Sequence, residues 1–334
     1  MEPSRRACPE KQSFSHMQPV VQALGIGKSF GTTVALRDIS FEVLPGEVFG
    51  FIGPDGAGKT TLFRIITTLL LPDAGEIQVM GFDVRRDYRG IRKNIGYMPG
   101  RFSLYMDLTV EENLRFYATV FGTTVEENYD LIRDIYSQIE PFKHRMAGKL
   151  SGGMKQKLAL SCALIHKPSL LILDEPTTGV DAVSRAEFWE MLKKLKAHNI
   201  TIVVSTPYMD EATRCDRVAL IQNGRIFSVD TPDHITAGFS RPLLQVKSAS
   251  KHLLMNALKK YPGTLSVWPF GEYVHLTLRD VLPEEPLPRF LERHGIRDAT
   301  LMEAKPGIED RFLELMSGAE PVPEYRKEVN DDQP

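Results

Sequence analysis

A glycine-rich segment holds the residues best able to bind phosphate. Residues 53–60 read Gly-Pro-Asp-Gly-Ala-Gly-Lys-Thr and match the P-loop pattern G-x-x-x-x-G-K-[ST]. Glycines let the backbone turn its N–H groups toward a phosphate, and the following helix presents its positive end to the same anion. Lys59 is expected to reach the β- and γ-phosphates and to act in catalysis, and Thr60 to offer its hydroxyl to Mg²⁺. The expected nucleotide-binding residues here are Gly53, Pro54, Asp55, Gly56, Ala57, Gly58, Lys59, Thr60 and Thr61.

The alternative is a glycine-rich turn that binds nothing. An apolar run at residues 48–52 enters the segment, and residues 60–71 leave it with helical apolar spacing before Pro72. A strand before the segment and a helix after it form the context that a P-loop requires, so we favour the phosphate site.

Two carboxylates follow a second apolar run. Residues 170–175 read Leu-Leu-Ile-Leu-Asp-Glu, which predicts a buried strand that ends in acids. Asp174 is expected to hold Mg²⁺ with Thr60, directly or through water, and Glu175 to orient and deprotonate an attacking water. Many buried strands end in acids, so the pattern is weak alone and gains weight from the P-loop upstream.

A third motif, residues 150–156, reads Leu-Ser-Gly-Gly-Met-Lys-Gln and resembles the LSGGQ signature of ATP-binding cassette (ABC) proteins. The resemblance implies that Ser151, Gly152 and Gly153 cap the γ-phosphate of ATP held by the P-loop of a second cassette, with two ATP molecules in a head-to-tail dimer. A helix start also suits an anion. The alternative is a Ser-Gly-Gly helix cap with no ligand.

Other positions agree with this resemblance, which covers residues 20–238 closely. Phe30 falls where ABC cassettes carry an aromatic that stacks on adenine, although a core aromatic is the alternative. Residues 179–181 resemble the D-loop that links the two sites, and residues 104–110 the region that docks a membrane permease. Residues 307–313 look like the C-terminal extension of drug- and antibiotic-export cassettes.

Two positions depart from the family pattern. Gly100 stands where the family has the Q-loop glutamine, and Pro207 where it has the switch histidine. Proline has no side-chain donor and no backbone N–H. We therefore expect ATP binding to survive and hydrolysis at this chain's own site to be slow, while the intact signature completes a competent site on a partner. The alternative is that a nearby group or water replaces both functions.

The fold that must position these residues is predicted to be α/β. Strands at residues 20–23, 41–43, 48–52, 170–173 and 200–204 alternate with helical segments, which favours a largely parallel, covered sheet. Residues 25–33 are expected to be a polar, turn-rich connection. The predicted organisation is a disordered tail at 1–18, an ATP-binding domain at 19–238 with a helical subdomain at about 101–165, an accessory domain at 243–317 and a flexible tail at 318–334.

The accessory domain has the pattern β-α-β-β-α-β, which predicts a ferredoxin-like module. Its role is expected to be a packing accessory, with small-molecule sensing or dimerisation as alternatives. His275 and His294 are not at metal spacing and are predicted to be surface residues.

Composition narrows the function classes. The net charge is −2 and the pI about 6.5, which gives no electrostatic sign of a nucleic-acid partner. Cys8, Cys162 and Cys215 show no disulfide framework or metal spacing. No apolar run reaches the roughly 18 residues of a membrane span.

We therefore expect a peripheral subunit at the cytoplasmic membrane face that binds ATP and Mg²⁺, a permease and a second, identical or different cassette. The alternatives are a soluble ABC ATPase that acts on ribosomes or nucleic acid, and a non-hydrolysing regulatory cassette.

Overall fold

The computed structural model describes residues 18–279 and 283–317. The described residues divide into two compact units, with the boundary between Pro232 and Asp233. The predicted tails at 1–18 and 318–334 lie, except for Gln18, outside the described residues, as does Cys8. Within the described part, no helix has the length and apolar character needed to cross a bilayer.

The first unit contains ten strands and six complete α-helices among its described residues. The strands are β1 Val21–Phe30, β2 Thr33–Val43, β3 Val48–Ile52, β4 Ala74–Val79, β5 Phe82–Asp83, β6 Ile95–Met98, β7 Leu170–Asp174, β8 Thr201–Thr206, β9 Arg217–Gln222 and β10 Arg225–Asp230. The helices are α1 Lys59–Ile66, α2 Tyr88–Asn94, α3 Val110–Val120, α4 Val125–Tyr136, α5 Gly152–Leu164 and α6 Ala182–Lys196. A further helix, α7 Pro232–Ala237, begins at the last residue of this unit and continues in the second.

The central sheet has the strand order β10-β9-β3-β8-β7-β6. Strands β9, β3, β8, β7 and β6 are parallel, and β10 pairs antiparallel with β9. Every residue of β3, β7 and β8 is buried, as their continuous apolar sequences predict for strands covered on both faces. Since these three strands are neighbours and parallel, the segments that follow them meet at one edge of the sheet.

A second, antiparallel sheet has the order β2-β1-β4-β5. Here the prediction of a turn-rich connection at residues 25–33 is wrong, because β1 continues to Phe30 and β2 begins at Thr33. Register shifts between Ala23 and Ile26 and again up to Ser29 let the irregular segment stay paired with β2. The chain reverses only at Gly31, which has φ +57°.

Helix α1 ends earlier than the sequence predicts, at Ile66 rather than near residue 71. The Thr67 hydroxyl donates to the Phe63 carbonyl at 2.8 Å, and Thr68 takes a left-handed φ of 61°. The backbone N–H groups of Leu69 and Leu70 then turn back to the Arg64 carbonyl. Leu69 is 57% exposed. This apolar residue, which suggested a longer helix, therefore does not extend the buried face of α1.

Three α-helices, α3, α4 and α5, pack together within the predicted helical segment. Thr109 and Thr124 begin α3 and α4 with capping boxes that pair with Glu112 and Glu127. Helix α5 begins at Gly152, directly after Ser151 of the signature motif. Ser151 therefore lies at the N-terminus of a helix.

The second unit has the element order that the sequence predicts. Its elements are β11 Leu243–Lys247, α8 Lys251–Leu258, β12 Thr264–Phe270, β13 Tyr273–Leu278, α9 Leu287–Arg293, β14 Thr300–Glu303 and a further helix, α10 Ile308–Ser317. The sheet is antiparallel with the order β12-β13-β11-β14. Its core comprises Val246, Leu254, Leu258, Val274, Leu276, Phe290 and Leu291 with their neighbours.

His275 corrects the sequence prediction, because it is buried rather than at the surface. Its Nδ1 lies 2.7 Å from a carboxylate oxygen of Asp310 on α10, and the Phe270 ring stacks on its imidazole. Helix α10 supplies a partner 35 residues away in the chain, which the local pattern does not reveal. His294 is exposed, as predicted.

Candidate nucleotide site

The glycine-rich segment joins β3 to α1, and its shape depends on two glycines. Gly58 has φ +104°, and a Cβ there would lie 2.7 Å from the Ala35 carbonyl oxygen. A Cβ at Gly53 would lie 1.9 Å from the Ile221 carbonyl oxygen. Gly58 caps α1 without a side-chain hydrogen bond, so the first N–H groups of this helix remain available to an anion. The segment therefore fits a phosphate group.

Lys59 points back into this segment and is 3% exposed. Its Nζ donates to the carbonyl oxygens of Gly53 and Pro54, at 2.7 and 3.0 Å. The same atom lies 3.1 Å from Oε1 of Glu175. The structure thus brings the predicted phosphate-binding lysine against the predicted water-activating carboxylate.

The two predicted magnesium ligands also meet. The Thr60 hydroxyl donates to Oδ1 of Asp174 at 3.2 Å, and Asp174 is 2% exposed. A hydroxyl and a carboxylate are hard oxygen ligands of the kind that Mg²⁺ takes alongside substrate phosphates, so these residues fit the ion.

Glu175 leaves β7 in an unusual conformation. Its φ is +49°, in the left-handed region, where a residue with a Cβ costs about 1–2 kcal/mol. Its backbone N–H donates to both the carbonyl and the hydroxyl oxygens of Ser205, at 3.1 and 2.9 Å. Strained backbone that surrounding contacts hold in place is typical of functional sites.

Sequence reasoning missed Ser205. This residue lies one position before the end of β8, which is buried beside β7, and its hydroxyl donates to Oδ1 of Asp174 at 2.7 Å. A polar pair, Ser205-Thr206, at the end of an apolar run was the available signal, since parallel neighbours end at the same sheet edge.

Ser151 caps α5, and its Oγ accepts from the backbone N–H of Met154 at 3.4 Å. A Cβ at Gly153 would lie 3.0 Å from the Ser184 hydroxyl on α6, so this position is tight. Although residues 53–61 and 151–153 are all described, no hydrogen bond or ion pair joins the two segments. The signature therefore does not complete the P-loop of its own chain here.

A cavity of about 190 Å³ separates α5 from the acidic end of β7. Gly100, Gly152, Gln156, Glu175 and Gly179 are among its lining residues. The Gln156 side-chain amide donates to the Pro176 carbonyl, which ties α5 to the segment after Glu175. Three segments that are far apart in the sequence therefore line one cavity: those that resemble the Q-loop, the signature and the D-loop.

The two positions that depart from the family pattern border the site. A Cβ at Gly100 would lie 3.0 Å from the Asp174 carbonyl oxygen and 3.8 Å from Cβ of Glu175. Pro207 follows Thr206, whose carbonyl accepts from the backbone N–H of Gly53 at 3.2 Å. Neither residue has a side-chain donor to offer.

Phe30 ends β1 and is 49% exposed, so the alternative of a core aromatic is wrong. The Lys28 ammonium lies 5.6 Å from the centroid of its ring. An exposed aromatic surface of this kind can stack on a planar base.

Three ionisable groups near the site have shifted pKa values. Burial, and then the charge of Asp174, raise the pKa of Tyr97 to about 12, so this phenol stays neutral. The Ser184 backbone N–H, then the Ser184 hydroxyl, lower the pKa of Asp181, which caps α6. A hydrogen bond from Lys28 is the main cause that lowers the pKa of Asp73. All three groups keep a fixed charge state near neutral pH.

Comparison with known proteins gives the same interpretation. The ABC transporter family profile matches residues 36–178. The probable multidrug ABC transporter ATP-binding protein YbhF of Escherichia coli is 39% identical over 292 residues, which cover 85% of this chain and 50% of that protein. The chain thus spans about half the length of this relative. The Nod factor export ATP-binding protein I of Rhizobium sp. strain N33 is 35% identical over 88% of this chain and 96% of its own length.

Solved structures agree. The ATP-binding subunit of an ABC transporter superposes with a TM-score of 0.60 and 29% identity, covering 65% of this chain and 92% of that one. The ATP-binding cassette MJ0796, a dimer in a post-hydrolysis state with ADP and Pi, has a TM-score of 0.58 and 25% identity, covering 63% and 98%. The predicted P-loop α/β fold is therefore confirmed.

Proposed function

Because the chain belongs to the family of ABC transporter ATP-binding proteins, we propose that it is the ATP-hydrolysing, energy-coupling subunit of an exporter. One observation carries the catalytic part of this proposal: Lys59 and Thr60 meet Asp174 and Glu175 at one edge of the central sheet. The names of the multidrug and Nod factor export relatives support the direction of transport.

The proposed roles follow from chemistry. Backbone N–H groups at the start of α1 and the Lys59 ammonium hold the terminal phosphates of ATP. Thr60 and Asp174 would hold Mg²⁺, which would neutralise charge on the phosphates. Glu175 accepts a proton from the attacking water, and Phe30 stacks on adenine. Because Lys59 is paired with Glu175 in this structure, a phosphate that takes Lys59 also releases the carboxylate for water.

The second half of each site comes from another cassette. In the proposed head-to-tail dimer, Ser151, Gly152 and Gly153 present the start of α5 to ATP on the partner's P-loop. The separation of these residues from their own P-loop supports this arrangement. The partner is the same chain or a different cassette, and the pair drives a separate membrane permease from its cytoplasmic face.

Hydrolysis at this chain's own P-loop is proposed to be slow. Loss of one preorganised donor to developing charge costs about 2.7–4 kcal/mol, or 10²–10³ in rate. Gly100 and Pro207 stand where the family carries such groups. The same observation favours a second candidate function, a cassette that binds ATP and regulates its partner without hydrolysis.

Calorimetric titration of the full chain with ATP and Mg²⁺ tests the binding step. We expect saturable binding, and at least a tenfold weaker Kd in Lys59→Ala, because the mutation removes the ammonium that faces the phosphates. Lys193→Ala is the matched control, since Lys193 is an exposed residue of α6 outside both the P-loop and the signature motif. Absence of binding by the unmodified chain would refute the proposed function.

A further inference from the structure

Ser205 is buried next to the two acidic residues of the proposed site. It is the penultimate residue of β8, has no exposed surface, and pairs with Asp174 at the end of β7. The hydroxyl donates to Oδ1 of Asp174 at 2.7 Å and accepts from the backbone N–H of Glu175 at 2.9 Å. One hydroxyl therefore contacts both acidic residues.

The direction of these two hydrogen bonds is fixed by chemistry. An ionised carboxylate can only accept, and a backbone N–H can only donate. The single hydroxyl proton of Ser205 must then point to Asp174, while an oxygen lone pair faces the Glu175 N–H. Because the Ser205 hydroxyl both donates and accepts a hydrogen bond, its orientation is fixed. The position of β8 therefore constrains the Asp174 carboxylate and the Glu175 backbone.

Strand β8 also contacts the P-loop through the next residue. The Thr206 carbonyl accepts from the Gly53 N–H at 3.2 Å. Oδ1 of Asp174 accepts from Thr60 as well as from Ser205. The last two residues of β8 thus contact both the P-loop, through Thr206, and the acidic pair, through Ser205.

We propose that Ser205 is a positioning residue that orients Asp174 toward Mg²⁺ and holds Glu175 in its left-handed backbone conformation. This proposal rests on the proposed function of the site. Outer hydrogen-bond partners of metal ligands typically contribute 10–100-fold to metal affinity or activity. Ser205 has the contacts of such a partner, although it touches neither phosphate nor metal in the proposed arrangement.

The test compares ATP affinity with and without the ion. Calorimetry with ATP and Mg²⁺, and separately with ATP and EDTA, gives the factor by which Mg²⁺ strengthens binding. We expect Ser205→Ala to reduce this factor 10–100-fold and to leave the EDTA affinity unchanged. Ser205→Thr retains the hydroxyl and is expected to stay within about threefold of the unmodified chain.

Ser161→Ala is the matched control. Ser161 is equally buried, and its hydroxyl donates to the Lys157 carbonyl inside α5, away from the acidic pair. This variant is expected to keep the full effect of Mg²⁺, so it separates a loss of packing from a loss of positioning.

A Ser205→Ala protein with the same Mg²⁺ factor as the unmodified chain would overturn the proposal. If that variant does not fold, Ser205→Cys, a weak donor of similar size, should still lower the factor about tenfold, and no change would overturn the proposal equally. An unmodified chain that fails to bind ATP would instead refute the proposed function, so the two failures are distinguishable.

Discussion

The Lys59 ammonium lies 3.1 Å from the Glu175 carboxylate, and the two side chains are 2% and 21% exposed. The group proposed to hold phosphate and the group proposed to activate water are thus each other's partner. Lys59 also donates to two P-loop carbonyls, so all three of its protons have acceptors. A bound phosphate must compete with these contacts.

This competition predicts the effect of Glu175→Gln on binding. Removal of the carboxylate charge releases Lys59, and a partly buried ion pair is worth on the order of 1 kcal/mol. We therefore expect calorimetry to show about 3- to 10-fold tighter ATP binding together with lost turnover. Glu187→Gln, which breaks an ion pair with Lys157 away from the P-loop, should leave binding unchanged. Weaker binding by Glu175→Gln would contradict this interpretation of the ion pair.

The proposed cassette dimer is asymmetric, because this chain's own ATP site is slow and the partner's site, completed by Ser151, is competent. Two mutations should therefore have opposite effects on the assembled transporter. Ser151→Arg places a long cation at the start of α5 and should reduce transport by about 10²-fold or more, because it blocks the partner's site. Glu175→Gln should leave most transport intact, because this chain's own site turns over slowly. Ser137→Arg, at an exposed position after α4, is the control. Vesicle transport assays that give the reverse pattern would exclude asymmetry.

The proline in the switch position predicts a gain of activity on replacement. Pro207→His supplies a side-chain donor beside the P-loop and should raise ATP hydrolysis at this chain's own site at least about tenfold, within the 10²–10³ that such a donor provides, as measured in a Ser151→Arg background in which the partner's site is blocked. Pro207→Ala removes the ring without adding a donor and separates backbone from side-chain effects. Equal steady-state rates for the two variants would show that another group already fills this role.

The imidazole of His166 predicts a pH dependence of stability. Burial lowers its pKa below 6.5, its ring stacks on Phe121, and the Ile95 carbonyl lies 2.9 Å from its Nε2. The unfolded chain binds the proton more readily, so the free energy of unfolding should fall as the pH drops below about 6.5, by at most about 1.4 kcal/mol per pH unit. This loss continues down to the folded-state pKa.

His166→Gln should flatten that dependence, while His198→Gln, at an exposed position, should not. Urea unfolding followed by Trp189 fluorescence in a Trp268→Phe background reports on the first unit, since Trp189 lies on α6. An unchanged slope between pH 5 and 6.5 in His166→Gln would assign the dependence to other groups.

The sequence by itself identified the type of the fold and predicted the residues of the candidate site. The P-loop, the acidic pair and the signature are contiguous motifs, and apolar runs such as 48–52 and 170–173 set the buried strands. Local spacing specifies such features because each depends on its chain neighbours. Predictions from local spacing were wrong for the extent of β1, which continues through register shifts. They were also wrong for the end of α1, where Thr68 takes a left-handed φ.

Only the tertiary structure decided which distant groups meet. Ser205 and Asp174 are 31 residues apart and become partners because β8 lies beside β7. His275 and Asp310 are 35 residues apart and pair because α10 packs there. The ion pair of Lys59 and Glu175 depends likewise on the order of parallel strands in one sheet. Strand order is set by packing over the whole unit, so a local pattern places such residues at strand ends but does not specify their partners.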